Sequence, residues 1–175
     1  MKENNTVFVA LGSNLGNPRK NLQAALRALK KLGQLLKKSS LYETEPVGGK
    51  KQNNFLNLAL QMTTALTARE LLARFQQIET NLGRIHRTLN GPREIDLDLI
   101  FYNAAIFTSK NLVLPHPRMH QRKFVLVPLS EIAPHQLHPL KKKTVAQMLA
   151  ESKDQHTVRQ IRSHQEFWPP GPPQK

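Results

Sequence analysis

Two apolar rhythms alternate along this chain, one of period two and one of helical spacing. Residues 6–11 form a short apolar run ending in Gly12-Ser13-Asn14, which predicts a buried strand and a turn. Asn17-Pro18 then supplies a cap and a first-turn proline. Leu22, Ala25, Leu26, Leu29 and Leu32 follow at helical spacing, and Gly33 is expected to close that helix. Residues 34–43 predict a second strand, made polar and edge-like by Lys37-Lys38-Ser39-Ser40. Residues 44–54 are rich in Gly, Lys, Asn and Pro and predict a mobile loop. In 55–64, Leu56, Leu58, Leu60 and Met62 share one strand face, and Phe55, Asn57, Ala59 and Gln61 share the other. Thr67 and Glu70 form a capping-box pattern ahead of Leu71, Leu72, Phe75, Ile78 and Leu82, a helix that Gly83 ends. Residues 84–90 predict a second polar, basic loop, and 95–102 another alternating strand. Residues 111–114 predict a short strand stopped by Pro115-His116-Pro117, and 124–129 and 145–149 short helical pieces.

The order strand–helix–strand–strand–helix–strand is the α+β plan of ferredoxin-like folds, βαββαβ. An antiparallel sheet with both helices on one face follows. The other face, carrying Phe55, Asn57, Asp96 and Asp98, is then expected to be free for a ligand beneath the two loops. One domain over residues 1–165 is expected, with a disordered proline-rich tail at 166–175.

Composition changes this picture in two ways. The chain has no cysteine, which excludes disulfides and thiolate metal sites and fits a reducing cytoplasm. Lys and Arg number 26 against 12 Asp and Glu, a formal charge of +14, so a polyanionic partner is expected, nucleotide or nucleic acid. The excess is spread along the chain, which favours a solvated basic surface over a single binding block. No signal peptide or membrane span is expected from the apolar runs.

The candidate chemistry concentrates in residues 91–100, Gly-Pro-Arg-Glu-Ile-Asp-Leu-Asp-Leu-Ile. Period two puts the Asp96 and Asp98 carboxylates on one strand face, where they repel each other unless a cation sits between them. Hard oxygen ligands in this arrangement suit Mg²⁺, which takes one or two carboxylates plus substrate phosphates. Arg93 can reach the same phosphates. The turn Gly12-Ser13-Asn14-Leu15-Gly16 is a further phosphate candidate, though such a turn more often only ends a strand. Asn57 beside Phe55 suggests recognition of a flat heterocycle.

Taken together these stretches match one family. They are Ala10-Leu11-Gly12-Ser13-Asn14-Leu15-Gly16, Leu41-Tyr42-Glu43-Thr44-Glu45-Pro46-Val47-Gly48, Phe55-Leu56-Asn57, and Ile78-Glu79 with Gly83-Arg84. Gly91-Pro92-Arg93-Glu94-Ile95-Asp96-Leu97-Asp98-Leu99-Ile100, Pro115-His116-Pro117-Arg118-Met119 and Arg122-Lys123-Phe124-Val125-Leu126 complete the set, with Pro128-Leu129. In these blocks the chain resembles the 6-hydroxymethyl-7,8-dihydropterin pyrophosphokinases of folate synthesis. The resemblance implies that MgATP binds first and the pterin second. The pterin hydroxymethyl oxygen then attacks the β-phosphorus, and AMP leaves. It implies two Mg²⁺ ions on Asp96 and Asp98, and Arg84 and Arg93 at the triphosphate as catalytic groups. It places Leu99, His116 and Arg122 at ATP, and Thr44, Val47, Phe55, Asn57 and Phe124 around the pterin, with the two phenylalanines stacking on its ring. Glu79 matches a motif position beside the site. A monomer is expected. The chain departs from the family pattern at His86, Leu89, Asn90 and Pro117, and at Phe55, where a tyrosine is common; Arg87 would replace the basic residue lost at Leu89. The competing reading is a small basic nucleic-acid-binding module. It lacks the second aromatic strand such a sheet needs and gives the aspartate pair no role.

Overall fold

The computed structural model describes residues 4–48, 51–85 and 91–161. Its centre is strand β1 (Asn5–Ser13), flanked antiparallel by β4 (Phe55–Thr64) and β5 (Asp96–Tyr102). The sheet continues from β4 to β3 (Tyr42–Thr44) and β8 (Val158–Gln160), while β2 (Gln34–Lys38) also pairs with β4. β2 and β3 share one edge of β4 and together fill the place of one ferredoxin-like strand. The α+β βαββαβ arrangement is therefore present, with β8 added outside it. A separate hairpin joins β6 (Phe107–Ser109) to β7 (Leu112–Leu114).

The predicted single strand over 34–43 is broken because Ser39 and Ser40 bond sideways. The Ser39 hydroxyl accepts the Ala59 N–H at 2.9 Å, a bond that a ladder carbonyl would otherwise take. The Ser40 N–H turns instead to the Glu131 carboxylate at 2.9 Å. Thr44 accordingly ends a strand rather than opening a loop.

Helix α1 (Pro18–Leu29) is capped by Asn17, whose side chain accepts the Lys20 N–H at 3.1 Å. Helix α2 (Ala68–Asn81) starts with the expected Thr67–Glu70 capping box. Both lay their apolar stripes on one sheet face, with Leu22, Leu26, Leu29, Leu71 and Phe75 against Val7, Val9, Leu58, Leu60 and Met62. Gly33 does not close α1, which ends at Leu29 with Lys30 as its cap. It lets the chain pass β4: a Cβ there would lie 1.9 Å from the Thr63 carbonyl oxygen.

The second face is not wholly free. Helices α3 (Lys123–Ile132) and α4 (Val145–Ala150) cover its middle, burying Val125, Leu126, Leu129 and Met148 on Phe8, Ala59 and Phe101. The run 123–132 has too much apolar surface to stay in water, and Phe8, Ala59 and Phe101 give it an apolar sheet surface to cover. What remains of the face is the strip carrying Phe55, Asn57, Asp96 and Asp98. The expected tail at 166–175 lies outside the described residues.

Candidate active site

β5 sends Leu97 and Leu99 into the helix-covered core and Asp96 and Asp98 to the opposite face. The Leu99 side chain, only 4% exposed, packs into that core, so its main chain is the part turned toward the sheet edge where a nucleotide is expected. Across the sheet Asp96 stands opposite Gly12 and Asp98 opposite Ala10, while Gly12 stands opposite Asn57 and Ala10 opposite Ala59. Small residues on β1 thus leave an open floor between the carboxylates and Asn57. At Gly12 the space is tight: a Cβ would sit 2.5 Å from Asn57 Oδ1, so that amide would have to shift.

Cationic groups gather round the carboxylates. Arg84 Nη1 donates to Asp96 Oδ1 at 2.7 Å, and Arg93 Nη1 donates to Asp96 Oδ2 at 2.6 Å. Arg84 is anchored behind by Glu79, which also accepts the Leu97 N–H at 2.7 Å. Glu79 is thereby given a role that its sequence position did not reveal: it fixes both β5 and the guanidinium. Burial pushes its carboxyl above the usual range, against the pull of that N–H and of Arg84. Asp98 has more distant neighbours, His116 Nε2 and Arg122 Nη1, each at 3.9 Å. Burial, and then repulsion from Asp96, push its carboxyl up to about 7. Burial and the charges of Arg122 and Arg118 push His116 down to about 4, so its ring is neutral at pH 7. Its Nδ1 accepts the Arg118 N–H at 3.2 Å, which leaves the proton on Nε2, facing Asp98.

The turn after β1 does not cradle a phosphate. The Asn14 and Leu15 N–H groups both donate to the Arg93 carbonyl, at 3.1 and 3.2 Å, and Asn14 Oδ1 accepts the Arg93 N–H at 2.9 Å. That turn holds the Gly-Pro-Arg segment and so aims the Arg93 guanidinium.

An open cavity runs from the carboxylates to β3 and α3. It is lined by Asp96, Asp98, Arg93 and Arg122 at one end and by Thr44, Val47, Phe55, Asn57 and Phe124 at the other. Asn57 Nδ2 donates to Thr44 Oγ1 at 2.6 Å, which fixes the amide on the cavity floor. Arg122 holds its guanidinium 5.5 Å from the Phe124 ring centroid. Arg84 reaches Asp96 from an adjoining recess against α2. Sequence reading missed Ala10, Leu11, Gly12 and Glu45 as lining residues. Ala10 and Gly12 could have been found from their smallness opposite two functional strands. Arg87 and the other departures at 86–90 lie outside the described residues.

Among the described residues no group of three or more His, Asp or Glu side chains comes together as a metal cage. Two carboxylates beside an open cavity would instead suit an ion that completes its shell with water and substrate oxygens, as Mg²⁺ does.

Residues 8–134 match the sequence model of the family described as 7,8-dihydro-6-hydroxymethylpterin-pyrophosphokinase. The chain is 44% identical over 131 residues to the 2-amino-4-hydroxy-6-hydroxymethyldihydropteridine pyrophosphokinase of Bacillus subtilis (strain 168), covering 74% of this chain and 78% of that one. It is 36% identical over 147 residues to the enzyme of the same name from Aquifex aeolicus (strain VF5), covering 84% and 92%. Identity to the folic acid synthesis protein FOL1 of Dictyostelium discoideum is 42% over 136 residues; this is 78% of the present chain but 21% of that longer protein. In fold the chain is similar to the wild-type Plasmodium falciparum HPPK-DHPS crystallised with pteroate, with a TM-score of 0.72 at 17% identity over 86% of this chain and 43% of that one. The chain belongs to the 7,8-dihydro-6-hydroxymethylpterin-pyrophosphokinase family, ATP-dependent transferases that move pyrophosphate onto hydroxymethyldihydropterin in folate biosynthesis.

Proposed function

We propose that this cavity binds both substrates, with the ATP triphosphate at its carboxylate end and 6-hydroxymethyl-7,8-dihydropterin between Phe55 and Phe124. The observation that carries the reading is one continuous cavity with paired carboxylates and arginines at one end and an aromatic-plus-amide wall at the other. Phe55 and Phe124 stack on the pterin faces. Asn57, Thr44 and the main chain at Val47 pair with its donor and acceptor edge. Held this way, the hydroxymethyl oxygen faces the β-phosphorus. It forms the new P–O bond there while the bond from β-phosphorus to the α,β-bridging oxygen breaks, and AMP leaves with that oxygen. The hydroxyl proton passes to solvent or to the nearer aspartate.

No protein nucleophile is needed, because positioning and electrostatics supply the rate. Arg84 and Arg93 are bidentate donors beside the triphosphate and offset charge that develops on the leaving side. Neutral His116 donates from Nε2 and Arg122 adds a guanidinium on the Asp98 side. Two Mg²⁺ ions held by Asp96 and Asp98 would supply charge neutralisation and a template for in-line transfer. We take the working form to be a cytoplasmic monomer.

The test is to incubate the purified chain with MgATP, with and without the pterin, and to identify the nucleotide product. Pterin-dependent AMP is expected. ADP, or AMP formed without pterin, refutes the reading.

A further inference from the structure

Residues 154–160 lie outside the 8–134 stretch matched to the family, yet they hold both walls of the cavity. Helix α3 starts at Lys123 with no side-chain cap from its own N-cap residue Arg122 and no acid in its first turn. Asp154 supplies the cap from a distance: its Oδ2 accepts the Lys123 N–H at 2.8 Å. Its Oδ1 accepts the His156 N–H at 3.0 Å and lies 2.5 Å from His156 Nδ1. Burial alone would raise the Asp154 carboxyl, but these bonds outweigh it and keep the group ionised.

The chain then crosses to the other wall. The Thr157 N–H donates to Glu45 Oε2 at 2.7 Å, and the Glu45 N–H donates to the Thr157 carbonyl at 3.2 Å. β8 runs antiparallel to β3, with Val158 opposite Thr44 and Gln160 opposite Tyr42. Gln160 Nε2 donates to Ser40 Oγ at 2.7 Å, and the Ile161 N–H to the Leu41 carbonyl at 2.8 Å. β3 has three residues, and without β8 its outer edge would be bare. One short segment therefore links the start of α3, where Arg122 and Phe124 sit, to the end of β3, where Thr44 and Glu45 sit.

We propose that residues 154–160 act as a positioning strap that sets the gap between the Phe124 wall and the Thr44–Glu45–Val47 wall, and so the affinity for the pterin. This rests on the assignment of that end of the cavity to the pterin. A flat ring stacked between two walls is sensitive to their spacing, because dispersion attraction falls steeply with a small radial gap. Neither Asp154 nor Thr157 touches the ring; they act through Lys123 and Glu45.

The test uses the full chain with Asp154→Ala, Asp154→Asn and Thr157→Pro, the last removing the N–H that Glu45 accepts. Measurements are kcat, KM for pterin and for MgATP, thermal midpoint, and amide exchange over residues 42–48. Loss of a cap or clamp of this kind predicts a pterin KM about fivefold higher for Asp154→Ala and Thr157→Pro, with kcat within about twofold. Asp154→Asn, which keeps the acceptor, recovers part of the loss, and exchange at 42–48 quickens in Thr157→Pro. Should Thr157→Pro fail to fold, the Asp154 pair decides alone. A pterin KM within about twofold of the parent in every folded variant, or equal rises for both substrates, overturns the proposal. If the parent makes no pterin-dependent AMP, the functional reading fails and exchange judges the strap: unchanged exchange over 42–48 overturns it, faster exchange upholds it.

Discussion

Gly12→Ala is the smallest change that should damage the pterin end of the cavity, because its effect passes through one contact. The added Cβ would lie 2.5 Å from Asn57 Oδ1, where ordinary contact begins at 3.4 Å. The amide must retreat by about 0.9 Å or rotate. Asn57 is 5% exposed and already donates to Thr44 Oγ1 at 2.6 Å, so it has no slack toward Thr44 and must move away from it. A retreat of that size stretches the bond to about the limit of hydrogen bonding. An amide and a hydroxyl then lose their buried partners, which costs about 2 kcal/mol. For a chain of this size that lowers the thermal midpoint by about 4–8 °C. The same displacement moves the group proposed to read the pterin edge, and a similar loss there would weaken pterin binding by about 10- to 100-fold. Thermal unfolding and fluorescence titration of the pterin measure the two effects. The decisive comparison is a double-mutant cycle with Asn57→Ala, which removes the clashing atom. On that background Gly12→Ala should cost less than about 0.5 kcal/mol. If the cost is the same on both backgrounds, the clash is not with Asn57 and the reasoning is wrong.

Three further outcomes are expected. The folded-state carboxyl of Asp98 is raised from an ordinary 3.8 to about 7, so its favourable contribution is complete below about pH 4 and is lost as pH rises through 7. In chelator, Asp98→Asn should therefore gain stability over the parent as pH climbs from 4 to 8; with Mg²⁺ present it should lose most turnover. The side chain keeps 27% exposure, so solvent moderates the gain, and parallel melting profiles would contradict the assignment. Glu79→Ala strands the Leu97 N–H and frees Arg84, at about 3 kcal/mol, whereas Glu79→Gln retains the acceptor and costs clearly less; equal urea midpoints for the two would refute this. Glu131→Ala removes the shared acceptor of the Ser40 N–H, the Ser40 hydroxyl and the Tyr42 hydroxyl. A loss of about 3 kcal/mol in urea unfolding is expected, and a loss under about 1 would mean that water replaces the carboxylate there.

What could be read from sequence was whatever depends on neighbours along the chain. Side-chain alternation is local, so β4 and β5 and the shared face of Asp96 and Asp98 were legible. Caps are local as well, which made Asn17 and the Thr67–Glu70 box visible. What failed depended on partners far away in sequence. Ser39 and Ser40 read as strand residues until Ala59 and Glu131 claim their polar groups. Gly33 read as a helix stop, although the constraint comes from the Thr63 carbonyl. Strands β6 and β8 have three residues each and carry no period of their own. Leu99 could be placed on a strand from its pattern, but the same alternation that aims Asp98 at the cavity turns Leu99 away from it.

The two aspartates are similar in sequence and unlike in setting, and this difference bears on how the site works. Asp96 accepts from two guanidiniums at 2.6–2.7 Å, whereas among the described residues Asp98 has the Arg122 guanidinium and the neutral His116 ring, each at 3.9 Å. One carboxylate is already compensated and the other is held near neutrality by its surroundings. A polyphosphate arriving with its cations would draw Arg84 and Arg93 toward phosphate oxygens, since a guanidinium fork serves either anion with the same geometry. Asp96 would then need a new positive partner at the moment when Asp98 can ionise. Lysines in place of Arg84 and Arg93 would neutralise Asp96 as point charges but could not share their donors between carboxylate and phosphate during that exchange. Glu79 would make such an exchange possible at Arg84, because its ion pair would keep the guanidinium anchored as its hold on Asp96 loosened.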